Sequence, residues 1–159
     1  LRLSVDMRKL SEALYFIAIT LWVGGLLAIG YIAAPVLFAS LGDRQLAGMI
    51  AGRLFAIIGW VGVGCSAYLL IFIVFRWGSR FLKSSVFWLC FLMLLMSLAS
   101  QFGIQPLMTQ LKTDALPREV MESVLRDRFV TWHGVSSILY LMQSMLGLWL
   151  VVWSNRGLK

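Results

Sequence analysis

Residues Leu54 to Phe75 read LFAIIGWVGVGCSAYLLIFIVF, a run without a single charged side chain. At about 1.5 Å per residue, a helix of this length reaches across the roughly 30 Å of hydrocarbon in a bilayer. The run lacks the in/out alternation of a membrane-barrel strand. In lipid, the segment must satisfy its backbone groups internally, and a helix does so. The same helical pattern extends back through Leu46-Ala-Gly-Met-Ile-Ala-Gly-Arg53, which carries Arg53 one or two turns inside the span. Moving outward, three more apolar runs of sufficient length complete the chain. The predicted spans are about 14–38, 46–75, 86–104 and 130–154, in one domain covering 1–159.

The fold class that follows is all-α integral membrane, an antiparallel bundle of four transmembrane helices. With 60% hydrophobic and 13% charged residues, the composition lies far from that of a soluble domain. The net charge of +7 does not indicate nucleic acid, because the basic residues sit in the short gaps between apolar runs and form no groove-reading surface. The bilayer is the expected partner, with a second copy or another membrane protein possible beside it. The first run is much longer than the apolar core of a signal peptide and leads straight into Pro35, so it is expected to be retained; Met7 resembles a natural start.

Orientation follows from the connections. Arg2, Arg8 and Lys9 precede the first span, Arg76, Arg80 and Lys83 link the second to the third, and Arg156 and Lys159 end the chain. On the other side, Lys112, Arg118, Arg126 and Arg128 are balanced by Asp114, Glu119, Glu122 and Asp127. Cytoplasmic placement of the unbalanced cations gives N-in, C-in topology in a bacterial inner membrane. Trp77, Trp88, Trp149, Trp153 and Tyr15 then mark the inner interface and Trp132 the outer. In the outer connection, Pro117 suits a first helical position, and Val120, Met121, Val124 and Leu125 recur at helical spacing. A short amphipathic outer helix is predicted there, before the fourth span.

Lipid provides no hydrogen-bond partners, so polar side chains within spans are expected to face other helices or a wet cavity. Each span has one small or polar stripe: Thr20, Gly24, Ala28, Tyr31 and Pro35; Gly48, Gly52 and Ala56; Ser97, Gln101 and Gln105; His133, Ser137, Tyr140, Ser144 and Gly147. These stripes are predicted to turn inward. Depth counting puts Arg53, Gln101, Gln105 and His133 in the outer third, where they form the candidate ligand-binding site. Such a cluster suits an anionic or carbonyl-bearing group. The bland alternative has Arg53 snorkelling, the glutamines bridging helices and His133 bonded to backbone.

Cys65 and Cys90 lie in apolar runs without a CxxC and read as buried thiols. No HExxH or carboxylate pair is present, and one histidine does not supply two axial ligands to a haem. No catalytic residue, metal ligand or cofactor is therefore assigned. The pairs Met93/Met96 and Met142/Met145 sit near mid-membrane; thioethers are soft ligands for copper(I), but methionine is more often core filler, and that role is expected here.

Trp22-Val-Gly-Gly, Ala34-Pro-Val-Leu-Phe38, Arg44, Ala47-Gly48, Gly52-Arg-Leu-Phe55 and Phe129-Val-Thr-Trp-His133 together resemble a bacterial four-helix membrane family of unknown function. That family is similar to a eukaryotic cisplatin-resistance-associated transmembrane family and, more distantly, to the copper-resistance D and HemJ-type families. The resemblance implies four spans and draws attention to Arg53 and His133. The haem- and copper-handling relatives are expected to use several histidines, whereas this chain has only His133. Together these observations favour a non-enzymatic accessory, assembly or ligand-binding membrane protein. The rival readings are a soft-metal transporter or chaperone, and a haem- or quinone-linked oxidoreductase with a flat pocket at Trp22, Tyr31, Tyr140 and His133.

Overall fold

A computed structural model describes residues 2–116, 121 and 123–154, with side chains from residue 7 onward. Among these residues there is no strand. The helices are α1 (Arg2–Ala28), α2 (Ala34–Ser40), α3 (Arg44–Trp77), α4 (Ser85–Ala99), α5 (Gln105–Ala115) and α6 (Arg126–Trp153). A π-turn at Ile29–Ala33 joins α1 to α2, another at Ser100–Ile104 joins α4 to α5, and a 3-10 turn at Gly78–Lys83 follows α3. Four helical segments are long and apolar enough to cross a membrane: Met7–Ser40, Arg44–Lys83, Ser85–Ala115 and Arg126–Trp153.

The third segment runs on to Ala115 rather than ending near residue 104. Its composition explains the excess: Gln105, Thr109, Gln110, Lys112, Thr113 and Asp114 make α5 a polar extension of the apolar run, not part of it. Each π-turn precedes a proline at the same offset, Pro35 at the start of α2 and Pro106 at the start of α5. Proline lacks the N–H and crowds the carbonyl one turn before it, and the wider π-turn relieves that crowding.

The core consists of Tyr15, Ile19, Trp22 and Val23 from α1, Leu69 and Ile73 from α3, Val86, Cys90 and Met93 from α4, and Leu150 from α6. Long-range bonds tie the helices together around it. Tyr15 donates to the Ser154 carbonyl at 3.0 Å, and Tyr68 to the Ser11 carbonyl at 3.1 Å. Gln143 donates to Ser97 Oγ at 2.6 Å. Two glycines admit large neighbours: a Cβ on Gly62 would lie 2.5 Å from Trp22 Nε1, and one on Gly25 would lie 2.5 Å from Ile58 Cδ1.

Three expectations about facing need correction. The first-span stripe points outward: Thr20, Gly24, Ala28, Tyr31 and Pro35 are not buried, and a Cβ on Gly24 would meet nothing within 4 Å. The opposite face, with Tyr15, Trp22 and Leu26, fills the bundle instead. Lipid is as apolar as the core, so small residues gain little by turning inward unless two backbones need close approach. The fourth-span stripe divides, with Ser144 and Gly147 buried and His133 and Ser137 exposed. Met93 and Met96 are core residues, whereas Met142 and Met145 are 50% and 63% exposed, so only the first pair is filler. The predicted outer helix lies largely outside the described residues; Ser123–Leu125 form a bend and turn before α6.

Candidate functional site at the loose end of the bundle

Packing along α6 is uneven. Gln143, Ser144, Gly147 and Leu150 are buried, but nothing from Arg126 to Met142 is. Tyr140 stands where the packing gives out. Its hydroxyl donates to the Leu26 carbonyl, its ring fits against Gly30 in the first π-turn, and Phe55 meets it edge-on at 5.1 Å between centroids. Tyr31 flanks it at 6.4 Å. The expected contributors Tyr31 and Tyr140 thus do come together, while Trp22 is sealed in the core at 1% exposure.

Gln101 is buried in the second π-turn, where its amide donates to the Ala56 carbonyl at 2.9 Å and presses on Gly59. The inward placement of Gly48, Gly52 and Ala56 has the same physical basis: they let α4 and α5 come close to α3. Gln105 is half-buried, and its carbonyl accepts from Thr109. His133 is exposed and stacks on Phe129 at 5.7 Å with the planes 9° apart. Arg53 is exposed, at helical spacing from exposed Met49, Ile57 and Trp60 on α3. None of these four residues hydrogen-bonds another.

The cation brought into the structure is Lys112. Its ammonium donates to the Gly48 carbonyl at 2.9 Å and lies 5.9 Å from the Phe129 ring centroid. Lys112, Phe129 and His133 therefore form one continuous series of contacts from α5 to α6, beside the small-residue face of α3. Sequence reasoning placed Lys112 in a connection because it follows the apolar run; its spacing of seven from Gln105 was the available signal. Among the described residues, no group of three or more His, Cys, Asp or Glu side chains is arranged to hold a metal ion.

The fold and its apolar helices define a multi-pass helical membrane protein. Over residues 17–117 the chain matches DUF4149, described as a domain of unknown function, and it belongs to that family. The matched stretch covers most of the first span and all of the second and third, with Arg53, Gln101 and Lys112, and stops short of His133 and Tyr140. No curated protein and no solved structure matches the chain.

Proposed function

We propose that this chain is a small bacterial inner-membrane protein that works without enzymatic turnover, as a ligand-binding or assembly partner, through the loose end of an antiparallel, N-in/C-in bundle. The observation that carries the reading is the asymmetry of α6, which buries four residues in its second half and none before Gln143. The loose half carries His133 and Ser137, both exposed, and the partly buried Tyr140 among exposed aliphatic side chains such as Val135, Ile138 and Leu141, with His133 joined to Lys112 through Phe129. Polar groups held among lipid-facing aliphatics mark a site rather than a plain lipid surface. Gln101, Gln105 and His133, with Lys112 as the cation, are the residues proposed to bind. Arg53 belongs to the same end of the bundle as a second cation. The antiparallel arrangement is supported by pairings that descend along one helix as they ascend the next, such as Gly48 with Lys112 and Ala56 with Gln101.

Photo-crosslinking in cells tests this reading. A photoreactive residue at Ser137 is expected to give a discrete adduct, whereas one at Val152, 75% exposed at the tightly packed end of the same helix, gives only diffuse lipid labelling. Identical diffuse labelling at both positions overturns it.

A further inference from the structure

At the end of the bundle opposite Lys112, the 3-10 turn Gly78–Lys83 connects two apolar runs and therefore lies at a membrane surface whichever leaflet that is. The turn has a built geometry. Gly78 takes a φ of +53°, which swings the chain off the end of α3. Trp88 Nε1 donates to the Leu82 carbonyl at 2.9 Å, Phe81 packs on Phe87 at 4.8 Å, and Ser84 caps α4 through the Phe87 N–H. In a 3-10 turn, residues three apart eclipse, with a rise of about 2.0 Å per residue, so Arg80 stands directly over Lys83 at a spacing of roughly 6 Å. Both side chains are exposed, and neither has a carboxylate within ion-pair distance among the described residues. The connection contains no acid at all. Two like charges held on one face repel unless an anion sits between them.

We infer that Arg80 and Lys83 form a clamp for the phosphate of an anionic phospholipid headgroup. The lipid source is favoured by the turn's apolar neighbours. Phe75 is 86% exposed just before the turn and Leu82 is 55% exposed within it, so the cations are flanked by side chains suited to the acyl region. Arg8 and Lys9 lie at the same end, because Tyr68 reaches Ser11 from α3, and Arg8 pairs with Glu12. The guanidinium provides paired donors to two phosphate oxygens and the ammonium a third contact. This site is independent of the proposed function at the other end, and its test does not involve that end.

The full chain in nanodiscs of equimolar phosphatidylglycerol and phosphatidylcholine, released and weighed by native mass spectrometry, is expected to retain phosphatidylglycerol preferentially. R80Q/K83Q is expected to lower that preference by about thirtyfold, on the scale of two surface cations. R80K/K83R keeps both charges in place and restores most of it. S79R/R80Q keeps the net charge but moves one cation off the eclipsed face, so it separates a clamp from diffuse attraction even where R80Q/K83Q fails to fold. Wild-type retention in S79R/R80Q overturns the clamp, as does equal retention of the two lipids by the native chain. Displacement of phosphatidylglycerol by excess inorganic phosphate at constant ionic strength overturns the lipid as occupant.

Discussion

Gly62 allows Trp22, the largest fully buried side chain, to lie against α3. An alanine there places its Cβ 2.5 Å from Trp22 Nε1 and 3.2 Å from two further ring atoms, and the surrounding core holds the indole in place. Gly62→Ala is therefore expected to cost about 1–3 kcal/mol, the usual range for overpacking. Gly64→Ala meets nothing within 4 Å and is expected to be neutral or to stabilise by up to about 1 kcal/mol through helix propensity. Unfolding midpoints of the two variants in mild detergent check the contrast; equal midpoints would show that Trp22 moves aside freely. Gln143 marks the limit of sequence reading at this scale. Tyr140, Ser144 and Gly147 form a helical stripe, but so do Tyr140, Gln143 and Gly147. Only α4, which presents Ser97 Oγ 2.6 Å from the Gln143 amide, identifies Gln143 as the buried cross-helix donor. Arg53 shows the same limit, because its place on α3 is visible in the sequence while the direction of its face depends on where the neighbouring helices lie.

Among the elements, the two π-turns do most to position the candidate site, and prolines point to both. Pro106 holds the third segment in a widened turn that aims Gln101 at Ala56 and, eleven residues on, Lys112 at Gly48. Without the proline, nothing prevents the turn from tightening to an α-helix. The helix beyond it then rotates by about 100°, one residue's angular step. Pro106→Ala is expected to swing Leu111, 3% exposed, out of its contact with the bundle. In a background free of Cys65 and Cys90, a cysteine at position 111 gains maleimide reactivity several-fold when Pro106 is replaced; unchanged reactivity would mean that the turn is set by tertiary packing alone. Both prolines were legible in the sequence, but the turns were not, since hydropathy registers which residues are apolar and is insensitive to one extra residue per turn. That insensitivity also hid the continuity of the third helix to Ala115, where composition changes but helicity does not.

At the scale of the molecule, the sequence makes the number and order of spans plain, because uninterrupted apolar runs have no other backbone solution in lipid. The inequality of the two ends is hidden from it, since a side chain facing lipid and one facing the core are chosen from the same residues. Charge is the exception, and it carries the remaining prediction. Arg8, Lys9, Arg76, Arg80 and Lys83 gather at the end where Tyr15 meets Ser154 and Tyr68 meets Ser11, against the two acids Asp6 and Glu12 of the first helix. At the other end, the sequence sets Asp43, Asp114, Glu119, Glu122 and Asp127 against Arg44, Arg53, Lys112, Arg118, Arg126 and Arg128, a more even balance. Since cations near span ends tend to be retained on the cytoplasmic side, the first end is expected to face the cytoplasm. Reporter fusions after Arg80 and after Lys159 are expected to report cytoplasm, and one at Lys112 the periplasm. The Lys112 fusion is the decisive one, because Lys112 is held to Gly48 beyond the apolar part of its helix. A cytoplasmic signal from it would turn the whole bundle over and move the candidate site to the inner face. The contacts that define the site, and the phosphate clamp at the opposite end, would survive that reversal, with the clamp then reading the outer leaflet.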